Sequence, residues 1–341
     1  MTDRFTRPSR KAFLKLAAAA GVAAAFALPT QAQTAASAAA ATDWPTKPVR
    51  IITPFPVGSG PEGVVRLLAE KLQKTWGKPV IVENRPGANG FIAIDAFRQG
   101  AKDGHDLMHL DNVHLVAYPH LFKKLPYDPK DFEPVLPLFR ANFFLTTAAN
   151  SKYRNVGDIL AEARANPGKL NYGSWSVGNP VHLGTALLEA MTNTEMQHVV
   201  YKETSQLYTG VANGELNFAL GTMATAGPLQ RAGKIKFIGT TGLKRHPAFP
   251  DVPTVAESGG PAGYEVSGWT TIATPKGLPK AVADRIQRDL EKALAEPEIA
   301  QRYAAFGYDL FPTTREQFGS FIQSESTKWA GVIQRAKASL D

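Results

Sequence analysis

From Val49 onward the chain alternates short apolar, β-branched runs with stretches in which apolar residues recur every three or four positions. The first pattern suits a buried strand, and the second gathers side chains on one face of a helix. Val49 to Thr53 reads as a strand. Val64, Val65, Leu68, Leu72 and Trp76 then recur at helical spacing until Gly77 and Pro79 stop the pattern. Pro79 to Val82 is the next predicted strand, Phe91 to Arg98 a helix, and Leu107 to Leu110 a strand. A second run of the same kind begins near Phe143. It predicts a helix over Val156 to Ala165 closed by Pro167-Gly168, a strand over Leu170 to Gly173, and a helix over Val181 to Met191. A strand at Gln197 to Val200, a helix reaching Asn213, and strands at Leu216 to Leu220 and Ile235 to Thr240 follow. Residues 242–263, rich in Pro and Gly, read as a long ordered loop. A strand over Tyr264 to Ala273 and two or three amphipathic helices ending with Trp329 and Ile333 complete the chain.

This alternation predicts α/β layers around a largely parallel sheet. Two such units fit better than one large sheet, and no repeat at fixed period is visible. The segments Leu136 to Thr147 and Glu265 to Thr274 are the places for the chain to cross between units. The first unit is then discontinuous, 44–142 with 268–341, and the second is 143–267. A cleft between two such lobes is a common place for a small ligand.

The first forty residues obey another rule. Arg4, Arg7, Arg10, Lys11 and Lys15 precede a thirteen-residue apolar stretch, Leu16 to Leu28, followed by Pro29 and the small-residue pattern Thr30-Gln31-Ala32. That is the order of a cleavable export signal over residues 1–32, and the apolar stretch is too short to span a bilayer. Ser9 to Lys15 also resembles a twin-arginine signal, with Lys11 where the second Arg would stand, so both the general secretory and the twin-arginine routes to the periplasm stay open. Residues 33–43, rich in Ala, Ser and Thr, read as a linker. Composition fits a folded chain of about two domains: 341 residues, 44% hydrophobic, 20% charged, and no cysteine, which excludes disulfides, thiolate metal sites and cysteine nucleophiles. Loss of the leader removes five cations and one anion, halving the net charge of +8. With no basic run interleaved with aromatics in the remainder, nucleic acid is not an expected partner.

Gly58-Ser59-Gly60-Pro61-Glu62-Gly63 satisfies G-x-G-x-x-G between a strand and a helix, and Glu83 ends the next strand 25 positions past the first glycine. Such an arrangement can bind a dinucleotide, so an exported NAD(P)-dependent oxidoreductase is one reading. Against it, Pro54-Phe55-Pro56 intervenes before the glycines, and Glu83 runs straight into the turn Asn84-Arg85-Pro86-Gly87. The other reading is capture of a carboxylate by a helix N-terminus, whose first amides lack intrahelical partners. Ser59 and Glu62 also form S-x-x-E, the pattern of a capping box that would satisfy that end internally. A second Gly/Ser loop, Gly173 to Asn179, again lies between strand and helix, with His182 in the first helical turn. The two loops face each other across a cleft or are ordinary βα turns. No G-x-S-x-G elbow occurs, which disfavours a serine hydrolase built on Ser174, Ser176 and His182. His105, His109, His114 and His120 match no metal-binding spacing and read as core or surface histidines. Trp175 and Trp269 are candidates for stacking on a ligand or for packing.

Trp44-Pro45-Thr46-Lys47-Pro48, IITPFPVGSG, VENRPGANG (Val82 to Gly90), KLPYDPKDFEPV (Lys124 to Val135), PGKLNYGS (Pro167 to Ser174) and the run from Arg231 to Gly259, with DVPTVAESG at its end, together resemble the Bug/TctC family, across essentially the whole chain after the leader. These are periplasmic solute-binding proteins of the tripartite tricarboxylate transporter type. The resemblance implies a two-lobed type II periplasmic binding protein fold, a Venus flytrap of two α/β domains joined by two crossing strands. It implies a monomer that closes on one small organic solute, commonly a carboxylate. The bound solute is then offered to a membrane permease of that type or to a sensor kinase, with no enzymatic step and no cofactor. Carried over residue by residue, the ligand-holding positions are Phe55, Pro56, Val57, Gly58 and Ser59 in one lobe and Ser174, Trp175, Ser176, Gly178, Asn179 and His182 in the other. Ala88, within the turn Gly87-Ala88-Asn89, and Tyr201, Lys202 and Glu203 resemble further lining. The chain departs from the family pattern at Ser59, Glu62, Asn179-Pro180, Glu203 and Gly221. Either these departures shift preference toward a ligand carrying a donor or an amine besides any carboxylate, or they are drift without consequence.

Overall fold

The structure, a computed structural model, describes residues 43–201 and 203–340. The leader over 1–32, all but the last residue of the 33–43 linker, and Lys202 lie outside the described residues. In chain order the elements are β1 (Val49–Thr53), α1 (Gly60–Trp76), β2 (Val80–Asn84), α2 (Phe91–Arg98), β3 (Asp106–Asp111), α3 (Asn112–Val116), α4 (Tyr118–Leu121), β4 (Phe132–Asn142) and β5 (Phe144–Ala148). Then come α5 (Val156–Ala165), β6 (Asn171–Ser174), α6 (Pro180–Thr192), β7 (Gln197–Val200), α7 (Thr204–Asn213), β8 (Phe218–Gly221), α8 (Gly227–Arg231) and β9 (Ile235–Thr240). Last are β10 (Ser267–Pro275), α9 (Lys280–Leu294), α10 (Pro297–Phe306), β11 (Tyr308–Asp309) and α11 (Arg315–Ala336).

The strands form two sheets, one ordered β11-β4-β10-β3-β1-β2 and the other β7-β6-β8-β5-β9. Neither is largely parallel. Within the first, β1 runs parallel to β2 and β3, but β10 is antiparallel to both β3 and β4. Within the second, β6 runs parallel to β7 and β8, while β5 is antiparallel to β8 and β9. Helical crossovers make the parallel pairs, whereas the long strands that leave and re-enter each sheet must run the other way. Residues 242–263 contain no helix or strand beyond the isolated bridge Thr240–Thr254.

Local chemistry explains α1. Pro61 occupies its first turn, where a missing N–H costs nothing. Val64, Val65, Leu68, Leu72 and Trp76 are buried on one face, and Gly77 at φ 63° closes the end, returning its N–H to Gln73 O.

The crossing is narrow and internally bonded. β4 ends at Asn142 and β5 starts at Phe144, so one residue, Phe143, separates the two sheets. Its N–H donates to Thr241 Oγ1 at 2.8 Å, Thr241 N donates back to Phe143 O at 2.9 Å, and Thr241 Oγ1 donates to Val266 O at 2.6 Å. Thr241 is fully buried and thereby ties both crossing segments together. Thr241→Val keeps the shape but leaves an amide and a carbonyl unpaired, so a stability loss of about 1–3 kcal/mol is expected from urea unfolding. A loss below about 0.5 kcal/mol would show that the knot is dispensable.

Candidate functional site

Between the sheets lies a cleft of about 510 Å³. One wall comes from the turn after β1 (Phe55, Pro56, Gly58, Ser59, Gly60 and Pro61), from Asp111 at the end of β3, and from β4, β10 and β11 through Phe139, Ala141, Trp269, Thr270 and Tyr308. The facing wall comes from Trp175, Pro180, Thr204, Thr222, Ala224 and Thr225. Ser59 and Asp111 lie at the carboxyl ends of adjacent parallel strands, where ligands of open α/β sheets bind.

The turn after β1 is not a capping box. Ser59 is the N-cap residue of α1, yet its hydroxyl makes no cap hydrogen bond. Glu62 turns its buried carboxylate onto Gly58 N–H at 3.1 Å instead, held there by Arg66, whose Nε donates at 2.9 Å. Arg66 lies one turn along the same helix and draws the carboxylate away from the Ser59 amide. Ser59 Oγ is therefore buried with no partner among the described residues. Trp269 Nε1 and Thr270 Oγ1 are in the same condition. All three residues line the cleft. Buried polar atoms are seldom left unpaired, so these three are groups that water or a polar guest would satisfy.

The second Gly/Ser loop spends its polarity on itself. Asn179 caps α6, its Oδ1 accepting Val181 N–H at 2.8 Å and His182 N–H at 3.0 Å while its Nδ2 donates to Ser174 Oγ at 3.0 Å. Ser174 Oγ donates to Ser176 O at 2.9 Å and lies 2.7 Å from His198 Nε2. His182 Nδ1 accepts Gly178 N–H at 3.1 Å, and its ring centroid lies 4.2 Å from that of His198. Burial holds both imidazoles neutral, each lowered to about 4, the pair's mutual repulsion adding to the effect on His182. Ser174, Ser176, Gly178, Asn179 and His182 are thus brought together, but Trp175 is the residue of this loop that reaches the cleft, with Pro180 beside it. Gly178 packs toward Leu121 and Leu340.

Of the remaining sequence candidates, Val57 is 74% exposed and does not line the cleft. Ala88 lies in an exposed left-handed turn at φ 45°. Tyr201 lines a separate depression with Gln206 and Glu215. Glu203 is the N-cap residue of α7 without a side-chain cap bond, and the next residue, Thr204, faces the cleft. Glu83 carries no ribose-clamp geometry: its carboxylate is engaged by Arg50 at 3.0 Å and by Arg85 at 2.6 Å. His105, His109 and His114 are buried, and among the described residues no group of three His, Asp or Glu could hold a metal ion.

Sequence reasoning missed Thr222, Thr225 and Asp111. Thr222 and Thr225 bond each other through the reciprocal contacts Thr222 N to Thr225 Oγ1 at 3.0 Å and Thr225 N to Thr222 Oγ1 at 3.3 Å, just after β8. T-x-x-T after a predicted strand was the available signal. For Asp111 the signal was an acidic residue directly after an apolar strand. It is the N-cap of α3, accepting Val113 N–H at 3.4 Å, and burial pushes its carboxyl up from 3.8 to about 7. In the unfolded chain that carboxyl ionises near its ordinary value, so its contribution to stability is complete below about pH 4 and is lost as pH rises through about 7. Asn caps a helix as well as Asp. The Asp111→Asn protein is expected to melt above the parent at pH 8 and level with it at pH 4; equal melting at both would contradict the burial.

Two sheets flanked by helices, with a polar-lined cleft at the crossing of two strands, define a two-lobed binding protein. Residues 64–338 match the model of the tripartite tricarboxylate transporter family receptor, and the chain belongs to that family. It is 31% identical over 291 residues to the UPF0065 protein in the tcbD-tcbE intergenic region of Pseudomonas sp. (strain P51), covering 85% of this chain and 86% of that one. Among solved structures, R. palustris Rpa4515 with adipate is similar at 28% identity and TM-score 0.77, over 87% of this chain and 99% of that chain. MatC (Rpa3494) from Rhodopseudomonas palustris with bound malate is similar at 25% identity and TM-score 0.74, over 85% of this chain and 100% of that chain.

Proposed function

We propose that this chain is exported to the periplasm by its first 32 residues, binds one small carboxylate-bearing solute between its lobes, and offers it to a membrane partner. The observation that carries the reading is the set of unpartnered Ser59 Oγ, Trp269 Nε1 and Thr270 Oγ1 around one cleft between two sheets. Two similar proteins, solved with adipate and with malate, support a carboxylate. The lobes in this reading are 44–142 with 268–341, and 143–267. The partner is a permease of the tripartite tricarboxylate type or a sensor kinase, and the protein works as a monomer without a cofactor. A guest that touches both walls stabilises the closed arrangement differentially, and closure needs no chemistry. The test is a thermal-shift screen of carboxylates on the mature protein, followed by small-angle scattering. A stabilising carboxylate that also reduces the radius of gyration and is recovered unaltered supports the reading; conversion of the guest to product refutes it.

Gly60 gives a second test. A methyl group there would lie 2.3 Å from Tyr308 Oη and 3.7 Å from Ala224 Cβ across the cleft. Tyr308 is stacked on Phe139 with ring centroids 4.1 Å apart, so it has little room to yield. Overpacking of this kind costs about 1–3 kcal/mol. Gly60→Ala is expected to weaken carboxylate affinity about tenfold or more by calorimetry, and undiminished affinity would remove Gly60 from the binding wall.

A further inference from the structure

The charge census of the cleft narrows the ligand class. Among the described residues that line it there is no Lys, Arg or His, and the charged side chain present is Asp111. Thr270 is the cross-strand partner of Asp111 in the β10–β3 pairing, is 3% exposed, and turns an unpartnered Oγ1 into the same wall. Asp111 is thus accompanied by a second buried polar group that points to a ligand. A dicarboxylate bound here would bring a second negative charge beside a carboxyl with no cationic side chain among the described lining to offset it. An ammonium group would find the opposite: a carboxylate acceptor and a hydroxyl that can also accept.

Resting on the solute-binding reading above, we propose that Asp111 selects a zwitterionic ligand, a carboxylic acid that also carries an ammonium group, with the ammonium at Asp111 and Thr270 and the carboxylate at the Ser59 turn. The N-terminal end of α1 suits the carboxylate through the amides of Gly60 and Glu62, Pro61 between them having none, and through its partial positive charge, while the Glu62 carboxylate on Gly58 N–H is neutralised by Arg66. The groups around Asp111 do not compete for it. On its own strand His109 is lowered by burial to about 3, on α3 His114 is lowered to about 4, and on α4 the phenol of Tyr118 is raised by burial and by the Asp111 charge. All three are neutral near pH 7. The Asp111 carboxyl itself, raised to about 7 by burial, is partly protonated there and would give up its proton as an ammonium docks.

The test is isothermal titration of the mature protein with four pairs in which one carboxylate is replaced by an ammonium group on the same carbon chain. These are malonate and glycine, succinate and β-alanine, glutarate and 4-aminobutyrate, and adipate and 5-aminopentanoate. The expected result is that the best amino acid binds at least tenfold tighter than its dicarboxylate partner, with heats that depend on buffer ionisation near pH 7. Asp111→Asn is then expected to lose tenfold or more for the amino acid while dicarboxylate affinity holds or rises. Asp111→Ser, which also caps α3, serves if the first variant does not fold. The proposal is overturned if the dicarboxylates bind as tightly as the amino acids, if the variant weakens both series alike, or if no amino acid binds. If neither series binds and no wider carboxylate set closes the lobes in scattering, the solute-binding reading falls as well.

Discussion

Asp106→Ala is expected to lower the free energy of unfolding by about 1.5–3 kcal/mol, the range for losing hydrogen bonds to a charged group, because Arg50 is 40% exposed and keeps access to water and to Glu83. Asp106 is 3% exposed at the start of β3. Its carboxylate accepts Arg50 Nε at 2.8 Å, Arg50 Nη2 at 2.7 Å and Ala101 N–H at 2.6 Å. Arg50 is its cross-strand partner on β1 and also reaches Glu83 on β2, so one guanidinium joins three neighbouring strands. Burial alone would raise the Asp106 carboxyl, but the hydrogen bonds of Arg50 and Ala101 and the guanidinium charge outweigh it and hold the group below the ordinary carboxylate range. Its contribution is therefore present above the unfolded value near 4 and lost as pH falls through the folded one. Urea unfolding at pH 7 measures the loss, and a change under 1 kcal/mol would mean that the pair is not holding the sheet. Asp106→Asn, which keeps the volume, should cost less than the alanine change.

Trp269→Ala should be more severe, about 3–5 kcal/mol for emptying a buried aromatic site. Trp269 is 1% exposed on β10, with Phe318 and Phe321 of α11 at centroid distances of 5.4 and 5.6 Å. Its removal therefore loosens the last helix from the central strand. The same side chain lines the cleft with a free indole N–H, so packing and recognition need to be separated. Trp269→Phe retains much of the packing and deletes the donor. It is expected to leave the melting temperature within a few degrees while weakening carboxylate binding several-fold. If the phenylalanine variant binds as the parent does, Trp269 is structural only.

What could be read in advance followed from periodicity. Helices α1, α2 and α5 and the strands that run parallel carry their own signal in the spacing of apolar residues and in the glycines and prolines that end them. Sheet direction did not. β4 and β10 are buried on mostly successive residues, as a doubly covered parallel strand would be, and their antiparallel pairing depends on where the chain crosses between sheets rather than on local composition. The turn after β1 could be picked out because a turn after a strand announces itself with glycine and serine. The internal bonding of the second Gly/Ser loop was not legible, for a physical reason: Ser174, Asn179 and His182 are as able to bond one another as to bond a guest, and a sequence does not say which they do. Thr222, Thr225 and Asp111 were passed over because single polar residues at strand ends look ordinary until the fold brings them to a common cavity.

Helix α11 packs on α3, α4 and β4 in one half of the molecule and on α6 in the other. Just beyond it, Leu340 donates its N–H to Leu121 O, and both leucines lie beside Gly178. A change in the angle between the halves must slide this helix against at least one of its supports, since both cannot follow it rigidly. If the halves close on a guest as proposed, the carboxyl end is a place to read its arrival at a distance. An environment-sensitive dye on the outer face of α11 would report occupancy optically, while a bulky fusion or surface tether attached there would burden the motion it was meant to observe.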